Sequence, residues 1–190
     1  MVIITSSSPD NDGDNMKILA FAATSSTKSI NKQLVAYAAS LVDGAEIELL
    51  DLNDFEMPIF SQDKEEVLGQ PAEAKLFMSK IAEADAVVIS FAEHNGSYTA
   101  AYKNVFDWAS RIDMKVYQGK PVVMLATSPG PGGAQSVLGA AVNSAPYFAA
   151  DVKGSLSIPS FFDNFDMDSR QLTNPELIDK LSTIMASLKA

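Results

Sequence analysis

The sequence has no cysteine and a single histidine, His94. The first absence excludes thiol catalysis, disulfides, iron–sulfur clusters and cysteine-ligated zinc, and the second leaves no multi-histidine metal site. Arginine is nearly missing as well. The 14 basic residues are almost all lysines and face 24 acidic ones, for a formal net charge of −10. A chain of that charge repels a phosphate backbone, so no nucleic-acid partner is expected. No run approaches the ~18 consecutive apolar residues of a spanning helix, so no membrane partner is expected either. Neither Gly-x-x-x-x-Gly-Lys-[Ser/Thr] nor the Gly-x-Ser-x-Gly nucleophile elbow occurs.

What is present is an ordinary share of apolar sequence, 47% of 190 residues. That suffices for one domain with a sizeable core. Residues 1–15 read differently from the rest. Ser6 to Asn15 is polar, acidic and turn-rich, which predicts a disordered leader or appended segment ahead of a domain over residues 16–190. The leader has neither the basic start nor the apolar stretch of a secretory signal, and a cysteine-free chain suits a reducing cytoplasm, the expected location.

From Met16 onward, short apolar runs alternate with helical periodicity. Strands are predicted at Lys17–Ala23, Ala45–Leu52, Asp85–Phe91 and Lys120–Thr127, with a weaker one at Gly154–Pro159. Ile30, Leu34, Tyr37, Ala38 and Leu41 mark one helix face. Pro71–Glu83 reads as a helix burying Leu76, Ile81 and its alanines. Tyr98, Tyr102, Val105, Phe106 and Ala109 mark a third helix, on which Trp108 belongs to the core or a subunit interface. Ala134–Ala149 reads as a helix bent or ended by Pro146, and Leu177 to Leu188 as a final helix. Unbroken Val/Ile/Leu strands imply burial on both faces, hence a five-stranded parallel sheet covered by helices, in the doubly wound order 2-1-3-4-5. Ligands of such sheets sit beyond the carboxyl ends of the strands. The loops of interest therefore follow Ala23, Phe91 and Thr127.

The first loop, Thr24 to Asn31, is rich in hydroxyls and leads into a helix. It reads either as an anion pocket suited to a phosphate monoester or as a set of helix caps. It holds no glycine, so it is not a dinucleotide fingerprint. The second loop, Ala92 to Tyr98, is small, polar and glycine-containing. It suits close backbone approach to a planar ring with His94 stacking on it, or a capping turn with His94 exposed. The third, Ser128 to Gln135, has three glycines. It reads as a ligand border or as a tight strand-to-helix connection.

Taken in order, the three loops resemble the NAD(P)H-dependent FMN reductases of the flavodoxin-like fold, the group that includes chromate, quinone and azo reductases. That family shows Gly-Ser-x-Arg-x-x-Ser-x-Asn after its first strand, where this chain has Ala23-Thr24-Ser25-Ser26-Thr27-Lys28-Ser29-Ile30-Asn31. The family's Pro-Glu-Tyr-Asn turn stands here as Ala92-Glu93-His94-Asn95, followed by Gly96-Ser97-Tyr98. Its Ser-x-Gly-x-x-Gly loop is similar to Ser128-Pro129-Gly130-Pro131-Gly132-Gly133. The resemblance implies a three-layer αβα sandwich and an FMN-dependent oxidoreductase. Hydride would pass from NAD(P)H through the flavin to a quinone, a flavin or a similar small acceptor, with no side-chain catalyst and no metal. By the same resemblance Thr24, Ser26, Ser29, Ile30 and Asn31 would surround the FMN phosphate. Glu93, His94, Asn95 and Gly96 would line the isoalloxazine, with the Glu93 side chain turned away from it. Ser128, Pro129, Gly130 and Gly133 would border the other side. Ser26 replaces the family arginine, and Lys28 is the expected substitute cation. A homodimer or homotetramer is implied. Two other readings remain at this point: an electron-transfer carrier of the flavodoxin type, and a flavin-binding module without catalytic activity.

Overall fold

The computed structural model describes residues 2–4 and 15–189. Five parallel strands form its centre: β1 (Lys17–Ala23), β2 (Glu46–Leu50), β3 (Ala86–Phe91), β4 (Pro121–Thr127) and β5 (Asp151–Ile158). Their spatial order is 2-1-3-4-5, as the alternation of the sequence predicts. Val2–Ile4 adds an antiparallel strand outside β2, pairing Val2 with Leu49 and Ile4 with Ile47. The rest of the leader expected over residues 1–15 lies largely outside the described residues, and the polar reading of that segment did not anticipate this added strand.

The main helices are α1 (Ile30–Ser40), α2 (Gln62–Leu68), α3 (Ala72–Glu83), α4 (Ala100–Ile112), α5 (Gln135–Ser144), α6 (Phe161–Asn164) and α7 (Pro175–Ala186). Successive residues of a strand face opposite sides of the sheet, and the two faces bury separate cores. Ile18, Ala20 and Ala22 of β1 pack with Leu34, Val35, Ala38 and Ala39 of α1 and with Leu181 and Met185 of α7. Leu19, Phe21 and Ala23 face the other way, toward Phe77 and Ile81 of α3, Trp108 of α4 and Val137 of α5. Alanines on both β1 and α1 let that helix sit close to the sheet, which fixes where its first turn points.

Several elements depart from the periodicity. In α3 the buried residues are Ala74, Phe77, Met78 and Ile81, whereas Leu76 is exposed. The inward stripe runs i, i+3, i+4, i+7, and Leu76 falls off it. β5 starts at Asp151, three residues before Gly154, because a half-exposed edge strand has no apolar run to mark its start. α2 buries none of its seven residues, so it carries no hydrophobic signal. Tyr98 precedes α4 and belongs to a short hairpin. α5 gives way at Ala145 to a single 3-10 turn through Phe148 that contains Pro146, the break expected of a missing N–H. Among the described residues no helix is long and apolar enough to cross a membrane, and no cluster of three metal-ligating side chains forms.

Candidate functional site

β1, β3 and β4 are neighbours, and their register pairs Ala23 with Phe91 and Phe91 with Ala126. The loops that follow them therefore leave the sheet side by side. The polar side chains buried among the described residues gather at this same end: Thr24, Ser29, Asn31, Ser90, Thr99 and Thr127. Burying polar atoms is tolerable only where each finds a partner, and here each does.

In the first loop Ser29 is the N-cap of α1, its Oγ accepting from the Asn31 N–H at 3.2 Å. Thr24 Oγ1 accepts from the Ser26 N–H at 3.1 Å. Both hydroxyls thus serve the loop's own backbone. Asn31 also turns inward. Its Oδ1 accepts from Ser90 Oγ at 2.7 Å and from the Thr127 N–H at 3.2 Å, while Nδ2 donates to the Thr127 carbonyl at 3.3 Å. The residue that the resemblance assigns to the phosphate shell lies beneath the loop, bracing α1 against β3 and β4. What faces solvent is Ser25, Ser26, Thr27 and Lys28. The N–H groups of Thr27, Lys28, Ser29 and Ile30 make no hydrogen bond among the described residues. Four free donors at the positive end of an eleven-residue helix form a cradle for an anion.

Two residues beside this loop carry no motif and were missed by the sequence reading. Asn53 Nδ2 donates to the Ser25 carbonyl at 3.1 Å and pins the loop from the side. Asp51 accepts from Lys32 Nζ at 2.6 Å and from the Asn53 N–H at 3.0 Å. Burial pushes the Asp51 carboxyl up, but the Lys32 ammonium and the Asn53 donors outweigh it and hold it below the usual carboxylate range. The only available signal was a polar Asp-Leu-Asn at the end of an apolar strand.

The second loop is a two-residue hairpin. Glu93 pairs with Tyr98 and His94 with Ser97. Asn95 and Gly96 between them have φ of 52° and 76°, the paired left-handed conformations of an Asn-Gly turn. His94 is exposed on its rim. The Glu93 carboxylate leaves the hairpin and accepts from the Val137 N–H at 2.9 Å, in the first turn of α5. That helix needs an outside partner: Ala134 at its N-cap is left-handed (φ 58°) and has no side-chain oxygen. Thr99 N-caps α4 and donates to the Ala23 carbonyl at 2.9 Å, tying the hairpin to the end of β1.

The third loop leans on β5. Ser157 Oγ donates to the Gly133 carbonyl at 2.7 Å, and the N–H groups of Ser160 and Phe161 donate to the carbonyls of Gly130 and Ser128 at 2.9 and 3.0 Å. A Cβ on Gly133 would collide with Ser157 Oγ, and its φ of +58° also demands glycine. Gly133 is therefore a packing position, whereas Gly130 borders open space. Ser128 Oγ donates to the Gly130 carbonyl at 3.2 Å. The structure thus brings Thr24 to Asn31, Glu93 to Gly96 and Ser128 to Gly133 to one edge of the sheet, with Asn31, Glu93 and Gly133 directed into its framework.

A cavity of about 350 Å³ adjoins Ser25, between the segment Leu52–Ile59 and the start of α4, with Asn53 and Asn104 among its polar walls. A similar volume, about 340 Å³, lies at the opposite end of the sheet among Lys17, Glu46, Glu48 and Glu83. The acidic one is remote from all three loops and has the wrong charge for an anion.

The backbone has a close counterpart in the flavoenzyme NAD(P)H:(acceptor) oxidoreductase from Paracoccus denitrificans. The TM-score is 0.71 at 23% identity, covering 92% of this chain and 96% of that one. Sequence similarity is higher over shorter spans. The chain is 33% identical over 118 residues to an NAD(P)H-dependent FMN reductase from Pseudomonas aeruginosa, and 34% identical over 117 residues to a 2-hydroxy-1,4-benzoquinone reductase from a Burkholderia species. These matches cover 62% and 60% of this chain and 62% of each relative. The sequence profile described as NADPH-dependent FMN reductase matches residues 16–163, a span holding β1, β3 and β4 and every loop that meets at the candidate site, and on that match the chain belongs to the NADPH-dependent FMN reductase family.

Proposed function

We propose that the protein is an FMN-dependent oxidoreductase that takes hydride from NAD(P)H and delivers it to a quinone, a free flavin or a similar small acceptor. The observation that carries this reading is the set of free N–H groups from Thr27 to Ile30 at the start of α1, set beside the exposed backbone of the Glu93–Gly96 hairpin and the Ser128–Gly130 turn. A phosphate on that cradle would place an attached ring system over the two neighbouring turns. FMN, when bound, supplies the hydride-accepting and hydride-donating chemistry itself, so the protein needs no side-chain acid or base.

The chain's own residues then bind, orient and exclude. Ser25, Ser26 and Thr27 offer hydroxyls to the phosphate, and Lys28 offers charge without the fork of the family arginine. The turn at Asn95-Gly96 carries no large side chain, which leaves its peptide edges open to a planar ring. Glu93 keeps its charge on α5, away from a ring that gains electrons during turnover. Quinone and flavin reductase relatives support a small-molecule acceptor, and flavin reductases of this kind support a homodimer or homotetramer in the cytoplasm.

The test is colour and turnover together. Purified protein mixed with FMN and passed through a desalting column should retain a yellow fraction that bleaches with NAD(P)H under argon. Its colour should return on adding a benzoquinone. A protein that retains FMN but turns over neither NADH nor NADPH would instead be a flavodoxin-type carrier or a module that binds flavin without reacting. A protein that stays colourless would end the flavin reading altogether.

A further inference from the structure

A second cavity lies between α4 and α5, away from the cradle of the first loop. Tyr98, Tyr102, Phe106, Tyr117 and Phe148 enclose about 210 Å³. Their rings form a continuous wall: centroids are 5.4 Å apart for Tyr98 and Tyr102, 5.6 Å for Tyr102 and Phe106, 5.8 Å for Phe106 and Tyr117, and 4.7 Å for Phe106 and Phe148. At its base the hydroxyls of Tyr102 and Tyr117 lie 2.9 Å apart, and each residue is 4% exposed.

The hydrogen count at this base does not balance. Two hydroxyls bring two hydrogens, and the bond between them uses one. Neither hydroxyl has another side-chain or backbone partner among the described residues. One O–H is therefore left without an acceptor in a buried aromatic setting, a state that costs about 1–3 kcal/mol in general. Burial pushes both hydroxyls above the usual phenolic range, so the spare hydrogen is present at neutral pH. By contrast, the polar atoms of the rim are already matched. Lys103 pairs with Asp107 at 2.6 Å, and Tyr98 meets Ser144 Oγ at 3.3 Å.

We propose that this crevice is a binding site for a small, neutral, planar aromatic compound bearing a carbonyl oxygen. The oxygen accepts the spare hydrogen of the Tyr102–Tyr117 pair, and the ring packs against Phe106 and Phe148. The volume fits, since a cavity of roughly 150 Å³ takes benzene and this one has room for one ring or a fused pair. An anion is disfavoured, because a single neutral donor does not offset the burial of a charge. A pure hydrocarbon leaves the hydroxyl unmatched. The site shares only Tyr98 with the second loop and does not rest on the flavin reading.

The probe is 1-tetralone, compared with the hydrocarbon tetralin, titrated into the full-length protein with and without saturating FMN and followed by NMR. Tetralone should bind saturably, with nuclear Overhauser contacts to the Tyr98 and Phe148 rings, and roughly fivefold to tenfold more tightly than tetralin, the worth of one neutral hydrogen bond. The double variant Tyr102→Phe/Tyr117→Phe removes both hydroxyls at constant shape. It should keep tetralin affinity and erase the preference. Should that variant not fold, Ser110→Trp at the rim must weaken tetralone binding at least fivefold by blocking the mouth. Equal affinity for the two probes, a preference that survives the double substitution, displacement of tetralone by FMN, or no binding would each overturn the proposal.

Discussion

Asn31 and Thr127, 96 residues apart in the chain, exchange two hydrogen bonds: the carboxamide nitrogen donates to the Thr127 carbonyl and the carboxamide oxygen accepts from its N–H. The side chain thus takes the place of an adjoining strand at the end of β4. The same oxygen accepts from Ser90 Oγ at the end of β3. One buried amide therefore sets the spacing between the origins of all three loops.

Replacing Asn31 by alanine strands three polar groups at positions no more than 2% exposed. Unmatched buried donors and acceptors carry a desolvation penalty, so Asn31→Ala should lose about 3 kcal/mol of unfolding free energy. FMN affinity should fall with it, since the cradle loses its footing on β3 and β4. Urea denaturation followed by tryptophan fluorescence measures the first. A loss under about 0.5 kcal/mol would mean that the brace is incidental.

Glu93 caps a helix to which it is not joined in sequence. Glu93→Ala should destabilise the fold by about 1 kcal/mol, as loss of an N-cap acceptor does. Glu93→Gln keeps an acceptor oxygen and should lose less. Because the carboxylate also fixes the hairpin, flavin affinity should rank wild type, then Gln, then Ala. Equal affinities across the three by fluorescence titration would separate the cap from the ring site.

Lys28 is exposed beside the free amides of the first loop. Lys28→Ala should weaken FMN binding roughly tenfold at low salt. Riboflavin, which lacks the phosphate, should be unaffected. The difference should shrink as the Debye length drops from about 10 Å at 0.1 M salt to about 3 Å at 1 M. An FMN affinity equal to that of the parent across the salt series would rule out the substitute-cation role.

The Tyr102–Tyr117 pair gives the fold an alkaline limit. Burial raises both hydroxyls, and for Tyr102 the neighbouring Tyr117 raises it further. Their folded-state values therefore lie above the unfolded value near 10. A group raised in this way contributes stability that is complete below the unfolded value and is lost as pH climbs from there through the folded one. Melting temperature should hold steady up to about pH 10 and then fall as unfolding releases tyrosinates. In Tyr102→Phe/Tyr117→Phe that fall should be shallower. An identical alkaline slope in the double variant would assign the loss to other groups.

The sequence by itself determined the frame of this protein. Strands such as Ala86–Phe91 are apolar on both faces, and α1 repeats Leu34, Ala38 and Leu41 along one side. That periodicity is a property of near neighbours in the chain. It is enough to set five parallel strands, their order, and the three loops that end together. Only the tertiary structure decided what the polar side chains of those loops do. Ser25 to Lys28 face outward and Ser29 caps α1, yet Asn31, two residues on, points beneath the loop because its partners come from β3 and β4. Glu93 goes to α5, and Tyr102 meets Tyr117 across the crevice. No local pattern encodes such pairings. A buried polar group must find its partner wherever the sheet register delivers one, and that register exists only once the strands are assembled.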